Sequence, residues 1–399
     1  MISEIQIENF KSIAKLSIKP GSVTVLIGEN GSGKSNVLEA IAFAAAASAD
    51  KLDDEFLFNR GIRVTDKEWM TAGFQNLVET PQQEQPRPIL IRIDGENEGD
   101  SLALGITRQN EDEGERWQTQ HLVKPAEMEE ILRDPAFLEA VKQSELFKLL
   151  AEGNADASLR LLAQVRAGET KKKKASHWAF RDFMIYAPEN SAMRRFEEEG
   201  AIKPLGNKGE GLLKLLQTTA EKENGQFTNE LKSHLNLLGW FADIKFPSDV
   251  DEIKGRLRIQ DRWLPQDGNF FDQRSANEGF LYLLFYFTLF LSKATPQFFA
   301  IDNIDTSLNP KLCAELIRQL AALAEKTGKQ VICTTHNPAI LDGLNLQDDK
   351  QRLYVVRRNS EGHTIVNRVN APRPRPEGDP VKLSTAFMSG LLGGLPDHF

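Results

Sequence analysis

The 399-residue sequence predicts an α/β fold with a mainly parallel central sheet, and three observations support this prediction. An apolar strand at 22–27 leads into a glycine-rich loop, and a helix follows over 34–47. A strand, a helix that ends at Gly328 and a second strand follow one another over 297–335, which is the pattern of a βαβ unit with parallel strands. Residues 279–291 are almost wholly apolar but shorter than the roughly 20 residues of a membrane span, so we expect a buried core helix.

An antiparallel β portion is predicted beside this sheet. Residues 2–7 and 14–18 alternate between apolar and polar side chains like two strands, and 89–94 and 101–107 look like two more. The stretch 125–168 is helical in character and is interrupted by one Asp-Pro pair. The sequence therefore predicts an α/β protein with an antiparallel β portion and a helical insertion.

Composition narrows the function classes. The chain is 40% hydrophobic and 27% charged, which is ordinary for a folded soluble protein. Its net charge of −8 argues against a surface coated in positive potential, so any nucleic-acid contact would be a local patch. The two cysteines, Cys313 and Cys333, fit neither a disulfide framework nor a zinc site. The first residues lack the apolar core of a signal peptide, and we expect a cytoplasmic protein without membrane contact.

The glycine-rich loop from Gly28 to Ser35 fits G-x-x-x-x-G-K-[ST] completely, with a strand before it and a helix after it. Such a loop aims backbone N–H groups at an anion, and the helix N-terminus adds partial positive charge. The motif predicts that Lys34 reaches the β- and γ-phosphates of ATP and that the Ser35 hydroxyl binds Mg²⁺. The candidate nucleotide-binding residues are Gly28, Glu29, Asn30, Gly31, Ser32, Gly33, Lys34, Ser35 and Asn36.

A phosphate loop of this kind needs a second metal-binding carboxylate on a neighbouring strand. Asp302 ends the apolar strand FFAID and suits this role, so Ser35 and Asp302 are the predicted magnesium ligands. Asp302 follows Lys34 by 268 residues, and such a long separation resembles the ABC-type ATPases, including their SMC, RecF and OLD relatives. The opening IQIENFKSI is similar to theirs as well, and the resemblance covers 1–50 and 205–345.

The segment Arg274 to Glu278 lies just before the apolar helix and resembles a degenerate ABC signature motif, LSGGQ or LSSGE. The resemblance implies a homodimer or a higher homo-oligomer in which two heads enclose ATP. Ser275, Asn277 and Glu278 of one copy would then meet the nucleotide of the other. A serine before a helix is also a common N-cap, and this interpretation of Ser275 stays open at the level of sequence.

The resemblance also assigns residues around the hydrolysed bond. His336 follows the next strand, where the family has its switch histidine, and Ser307 to Pro310 resemble its D-loop. Relatives usually place a glutamate directly after the aspartate of the strand, but this chain has Asn303. An amide cannot accept a proton at neutral pH, which implies slow hydrolysis unless Asp305 substitutes or the register is different. The candidate catalytic residues are Asp302, Asn303, Asp305 and His336.

A narrower resemblance links the chain to the ATPase subunits of bacterial anti-phage systems of the Septu and PARIS types. It depends on YAPEN at 186–190, HNPAILDG at 336–343 and GLLGGLP near the end of the chain. It implies a regulatory subunit that controls a separate nuclease or toxin. The alternative is a RecF-like repair ATPase that binds DNA directly, with the run Lys171 to Lys174 as a contact; a solvated loop is the ordinary interpretation of such a run.

Four regions are predicted along the chain. Residues 1–120 form an amino-terminal lobe, 121–205 a helical insertion with the basic run, 206–370 a carboxyl-terminal lobe, and 371–399 a proline-rich linker with an apolar tail. Phe387, Leu391 and Leu395 recur every four residues, which predicts one stripe of a short helix that Gly393 and Gly394 end. This tail could dock on a partner or pack on its own domain.

Overall fold

The computed structural model describes residues 1–72, 87–97, 100–111, 114–122, 180–196, 204–223, 225–246, 256–265, 270–371 and 382–395. The predicted helices at 125–168, the lysine run at 171–174 and most of the proline-rich linker lie outside these ranges.

Strands of the described residues form three sheets. Their bounds are Ile2–Phe10 (β1), Ile13–Ile18 (β2), Val23–Ile27 (β3), Ile89–Gly95 (β4), Ser101–Glu111 (β5), Gly114–His121 (β6), Ile185–Tyr186 (β7), Phe241–Lys245 (β8), Arg258–Asp261 (β9), Phe270–Asp272 (β10), Phe298–Ile301 (β11), Gln330–Thr335 (β12), Gln351–Arg358 (β13) and Thr364–Val369 (β14). The central sheet has the order β14–β13–β3–β12–β11–β7, the amino-terminal sheet β2–β1–β4–β5–β6, and a small sheet β10–β9–β8.

The central sheet is parallel from β13 to β7, and only β14 runs against its neighbour. The amino-terminal sheet is antiparallel throughout. Both features were predicted and are confirmed. In the parallel register Thr335 lies beside Ile27, and Ile301 lies beside Cys333. The residues that follow β3, β11 and β12 therefore meet at one edge of the sheet, which is where ligands bind in open α/β sheets.

The helices are Lys34–Ser48 (α1), Asp54–Asn59 (α2), Lys67–Met70 (α3), Asn190–Met193 (α4), Leu212–Lys222 (α5), Gln226–Leu235 (α6), Glu278–Leu291 (α7), Pro310–Thr327 (α8) and Leu383–Met388 (α9), with a 3₁₀ helix over Pro338–Gly343. None of the described helices is both long and apolar enough to cross a membrane. The predicted end of α8 is confirmed, because Gly328 adopts a left-handed backbone with φ 70°.

Helix α1 is buried on every side between the amino-terminal sheet and the central sheet. Its run of alanines over 44–47 has no bulk, so the helix can approach both sheets closely. Successive residues of the central strands point to opposite faces of the sheet and pack in two separate hydrophobic cores. Phe298 packs on the face that carries α1, and Phe299 packs on the opposite face.

Helix α7 is the buried apolar helix that the sequence predicts, and it lies in the core on that opposite face. At the carboxyl-terminal end of α7, the buried Lys329 side chain donates hydrogen bonds to the carbonyl oxygens of Leu289 and Ser292, at 2.6 and 2.7 Å. Helix α7 is thereby fixed at its far end, and its amino-terminal end carries the signature segment.

The predicted stripe of the apolar tail is wrong. Helix α9 ends at Met388, because Gly390 adopts a left-handed backbone with φ 76° well before Gly393. Phe387 is buried in the protein's own core, whereas Leu391 is 76% exposed. The start of the tail therefore packs on its own domain, and the apolar exposure lies just beyond it.

Candidate nucleotide-binding site

The phosphate loop, residues 28–33, connects β3 to α1, and the hairpin of β13 and β14 packs tightly against it. A Cβ on Gly33, whose φ is 102°, would lie 2.0 Å from Oγ1 of Thr364. A Cβ on Gly28 would lie 2.0 Å from the carbonyl oxygen of Val356. Neither position has space for a Cβ, so only glycine fits at 28 and 33. Close packing of the hairpin against the loop is therefore the reason for the two glycines of the motif.

Side chains from β14 and from the end of β13 also hold the loop by hydrogen bonds. The Thr364 hydroxyl donates to the carbonyl oxygen of Ser32 at 2.9 Å, and Arg358 Nε donates to that of Gly31 at 2.9 Å. Asn36 Nδ2, in the first turn of α1, donates to Ser12 Oγ at 2.6 Å. These contacts fix the loop before any ligand binds.

Lys34, the first residue of α1, folds its side chain back over this loop and is only 5% exposed. Its Nζ donates to the carbonyl oxygens of Gly28 and Glu29, both at 2.9 Å, and lies 3.4 Å from His336 Nδ1. Burial lowers the pKa of Lys34 to about 8, although the carboxylate of Asp302 opposes this shift. A partly desolvated ammonium group is a strong ligand for a phosphate oxygen, because little water has to be removed when the pair forms.

Ser35 and Asp302 meet at the carboxyl edge of the sheet, as the sequence predicts. Ser35 Oγ lies 3.2 Å from Oδ2 of Asp302, and the hydroxyl of Thr334 also donates to this carboxylate. A hydroxyl and a carboxylate are oxygen ligands of the kind that Mg²⁺ prefers. The pair could hold the cation of Mg²⁺·ATP, and Thr334 would orient the carboxylate.

One buried atom supports the fit of a nucleotide to this loop. Ser32 Oγ is fully buried and has no hydrogen-bond partner among the described residues. A buried hydroxyl without a partner costs free energy, and a phosphate oxygen at the loop would accept a hydrogen bond from it. Ser32 and Lys34 are hydrogen-bond donors for phosphate oxygens, and Ser35 and Asp302 are oxygen ligands for a cation. These four groups together suit a triphosphate with Mg²⁺.

The residues assigned to hydrolysis lie beyond β11 and β12. Asn303 adopts a left-handed backbone with φ 54°, and its N–H donates to Thr334 Oγ1 at 2.9 Å. Asp305 accepts a hydrogen bond from Thr335 Oγ1 at 2.6 Å. Desolvation and the Lys34 ammonium lower the pKa of His336, so its imidazole is neutral at pH 7. Asparagine tolerates the left-handed conformation better than glutamate does, which gives a local physical reason for the residue at 303.

The structure places the signature segment, residues 274–278, at the start of α7. Asn277 is the N-cap, since its Oδ1 accepts a hydrogen bond from the Phe280 N–H at 2.8 Å. The N-cap interpretation of Ser275 is therefore wrong. Ser275 and Glu278 are exposed. Among the described residues no hydrogen bond or ion pair joins this segment to residues 28–36 of the same chain.

The signature segment is held by Arg194, which the sequence did not single out, and by Asn190, the last residue of YAPEN, to which the sequence assigned no contact. Arg194 donates to the carbonyl oxygens of Gln273, Arg274 and Ala276 at 2.5–2.8 Å. Asn190 Nδ2 donates to Glu278 Oε1 at 2.7 Å. These contacts join residues about 80 to 90 positions apart, and nothing in the local sequence pattern signals them.

A lysine-bearing phosphate loop beside a hydroxyl–carboxylate pair, at the carboxyl edge of a parallel sheet, defines the class of P-loop ATPases. The model of the AAA ATPase domain family, AAA_15, matches residues 1–341. The chain belongs to this family and is an ATPase of its type.

Curated relatives match over short stretches. The chain is 38% identical over 88 residues to structural maintenance of chromosomes protein 4 of Caenorhabditis elegans, which is 20% of this chain and 6% of that protein. It is 43% identical over 51 residues to the chromosome partition protein Smc of Methanocaldococcus jannaschii, or 12% and 4% of the two chains. These matches span less than a tenth of the relatives' lengths.

Solved structures of SMC heads resemble the fold over almost its whole length. An SmcHead bound to the C-winged helix domain of ScpA has a TM-score of 0.50 at 14% identity, with 92% of this chain and 97% of that chain covered. The SMC head domain from Thermotoga maritima has a TM-score of 0.45 at 14% identity, with 93% and 99% covered. The likeness to the SmcHead bound to the ScpA domain shows that the fold is that of an SMC-like ATPase head.

Proposed function

We propose that two copies of this head associate around ATP and Mg²⁺, and that this association is the signal the protein transmits. The observation that carries the proposal is the location of the signature segment. Its Ser275 is exposed at the start of a buried helix, and the segment has no hydrogen bond or ion pair with the described phosphate loop of its own chain. The nucleotide bound to a second copy can supply the phosphate groups that this exposed segment would contact.

The residues of each copy divide between the two halves of the composite site. Lys34 holds the β- and γ-phosphates, and Ser35 with Asp302 holds the cation that Mg²⁺·ATP brings. Ser275 of the other copy closes the site over the γ-phosphate. Because Lys34 and Asp302 are already in place within one chain, a single copy binds the nucleotide, and the second copy makes binding tighter.

Hydrolysis at this site is proposed to be slow. Asn303 has no carboxylate with which to activate water, and loss of a positioned general base costs about 10²–10⁴ in rate. The Asp305 carboxylate is anchored by Thr335 and is the remaining candidate base. Slow hydrolysis would keep the two heads together for longer, which suits a switch rather than a motor.

The regulatory role that we propose is control of a separate effector chain, a nuclease or a toxin, in a bacterial anti-phage complex. The resemblance of 186–190 and 336–343 to such subunits supports it. A head of similar fold binds a separate chain, the C-winged helix domain of ScpA. We do not favour direct DNA binding as in RecF, given the net charge of −8. Co-purification with the product of the neighbouring gene tests the role; a chain that binds DNA alone and recruits no neighbour contradicts it.

Sedimentation velocity with and without Mg²⁺·ATP tests the association itself. Wild type should shift from a smaller to a larger species when the nucleotide is added. Ser275→Arg should stay small, because it adds bulk and charge where the second copy closes. Ser233→Arg makes the same change at an exposed position of α6 and should behave as wild type. Identical species for wild type and Ser275→Arg, with and without nucleotide, would contradict the proposal.

A further inference from the structure

Residues 186–194 connect the strand that precedes Asp302 with the signature segment. At one end, the Tyr186 carbonyl oxygen accepts a hydrogen bond from the Asp302 N–H at 2.8 Å, because β7 pairs in parallel with β11. In the middle, the Tyr282 hydroxyl of α7 donates to the Pro188 carbonyl oxygen at 3.1 Å. At the other end lie Asn190 and Arg194. The connector, as we call residues 186–194, therefore touches both halves of the proposed site.

Arg194 holds the signature segment by its backbone. One guanidinium nitrogen, Nη1, donates to two carbonyl oxygens and Nη2 to a third, so the segment's carbonyl oxygens turn towards Arg194. The remaining nitrogen, Nε, donates to Asn190 Oδ1 at 2.7 Å and locks the arginine in place. A planar guanidinium can make four such bonds at once, whereas a lysine ammonium has three donors around one atom.

Glu278 joins the connector to the segment after β11. Its Oε1 accepts from Asn190 Nδ2 at 2.7 Å, and its Oε2 accepts from Ser307 Oγ at 2.8 Å. Ser307 itself adopts a left-handed backbone with φ 58°, so its position is specifically constrained. Through these two hydrogen bonds, Glu278 bridges the connector and the segment that follows β11.

We propose that Arg194 and Asn190 are positioning residues, which set the signature segment for the nucleotide of the second copy and couple it to the Asp302 strand through the connector. This inference rests on the proposed function and deepens it. Arg194 does not touch the phosphate loop of its own chain in any hydrogen bond of the described residues. Its loss should therefore spare nucleotide binding by one copy and weaken the closure of two.

The test compares Arg194→Ala, Arg194→Lys and Arg318→Ala in the full chain. Arg318 is an exposed arginine of α8 that also bonds a backbone carbonyl oxygen, so it is a matched control. Arg194→Ala should keep the ATP Kd of the dilute, single-copy protein within about twofold. It should weaken ATP-dependent association at least about tenfold and lower kcat by a similar factor at unchanged KM, since the effect falls on the closed state.

Arg194→Lys should restore little of the ATP-dependent association, because one ammonium group cannot replace the planar set of donors of the guanidinium. Arg318→Ala should match wild type. If Arg194→Ala fails to fold, Asn190→Ala and Ser307→Ala each remove one or two hydrogen bonds at partly open positions and should weaken association several-fold at an unchanged Tm.

The outcomes separate this inference from the proposed function. A wild type that stays single with Mg²⁺·ATP overturns the proposed function and this inference with it. A wild type that associates, together with Arg194→Ala and Asn190→Ala variants that associate and turn over equally well, overturns the inference alone. A variant that loses ATP binding by the single copy as well would show a general structural role and would also overturn it.

Discussion

The phosphate loop and the signature segment are held in different ways. At the two ends of the loop, Gly28 and Gly33 fit against the Val356 carbonyl oxygen and the Thr364 side chain of the β13–β14 hairpin, with no space for a Cβ. The signature segment is held by the long polar side chains of Arg194 and Asn190, which reach across from a distant part of the chain. A tightly packed site has one arrangement, whereas a hydrogen-bonded bridge can be made or broken at modest cost.

This difference assigns different tasks to the two halves of the site. The loop is rigid before ligand binding and suits recognition of the triphosphate. The signature segment is connected to the Asp302 strand through side-chain hydrogen bonds and suits a state-dependent contact with a second copy. Changes at the loop should therefore abolish binding or stability, and changes around the signature segment should affect association.

The largest effect is expected for Lys34→Ala. The variant removes the buried cation of the loop, and a hydrogen bond to a charged group is worth about 1.5–3 kcal/mol, so the ATP Kd should rise about 100-fold. Isothermal titration measures it, with Lys350→Ala as control, because the side chain of that lysine forms a surface ion pair with Glu325. Wild-type affinity in Lys34→Ala would refute the assignment of the loop.

A pair of glycine variants tests the packing of the loop. Gly33→Ala should lower the free energy of unfolding by about 3 kcal/mol, since its Cβ meets Thr364 and its φ is positive. Gly31→Ala should cost only about 1 kcal/mol, because its φ is also positive but no atom lies within 4 Å of the added Cβ. Chemical denaturation without nucleotide measures both. Equal losses would show that packing against the hairpin is not what fixes the loop.

The sequence predicted the loop half of this comparison well and the other half poorly. The motif, its strand and helix, Asp302 and the end of α8 all carry local signals, such as glycines, caps and apolar runs, and their predicted places agree with the structure. The two-residue strand β7 carries no such signal, because its pairing is decided by β11 more than 100 residues later.

The same limit explains the errors. Asn277 rather than Ser275 caps α7, since both residue types can cap and only the backbone conformation decides between them. The tail helix is shorter than the spacing of its apolar residues predicts. Glycine can adopt a right-handed or a left-handed backbone conformation, and Gly390 adopts the left-handed one, which ends the helix. Arg194 could not be found from the sequence, because its role consists of contacts to carbonyl groups that any residue carries.

A smaller effect is expected from pH. The lowered pKa of Lys34, about 8, means that the protonated lysine predominates at pH 7 and is lost as the pH rises above 8. If the ammonium is required, the ATP Kd should stay nearly constant below pH 8 and rise about tenfold per pH unit above it. Lys34→Arg stays protonated and should show no such rise. A wild-type Kd that is constant up to pH 10 would contradict the buried environment of Lys34.

The smallest change is expected at position 303. Asn303→Glu should raise the rate of hydrolysis severalfold, because it supplies a general base; the left-handed backbone at 303, costly for glutamate, limits the gain. Asp305→Asn tests the other candidate base in the same steady-state assay. Brisk turnover in wild type that is unaffected by Asp305→Asn would show that the residues around β11 are assigned in the wrong register.

The most direct measurement of the composite site uses a mixture of two variants, Lys34→Ala and Ser275→Arg. Each variant alone damages every site of its own assembly. A mixed pair keeps one intact site, formed by Lys34 of one copy and Ser275 of the other, and its second site lacks the lysine side chain that the new arginine would meet. In sedimentation with Mg²⁺·ATP, neither variant alone should associate, and the equimolar mixture should regain a nucleotide-dependent pair. A mixture that stays as single chains, or a variant that pairs by itself, would contradict the account.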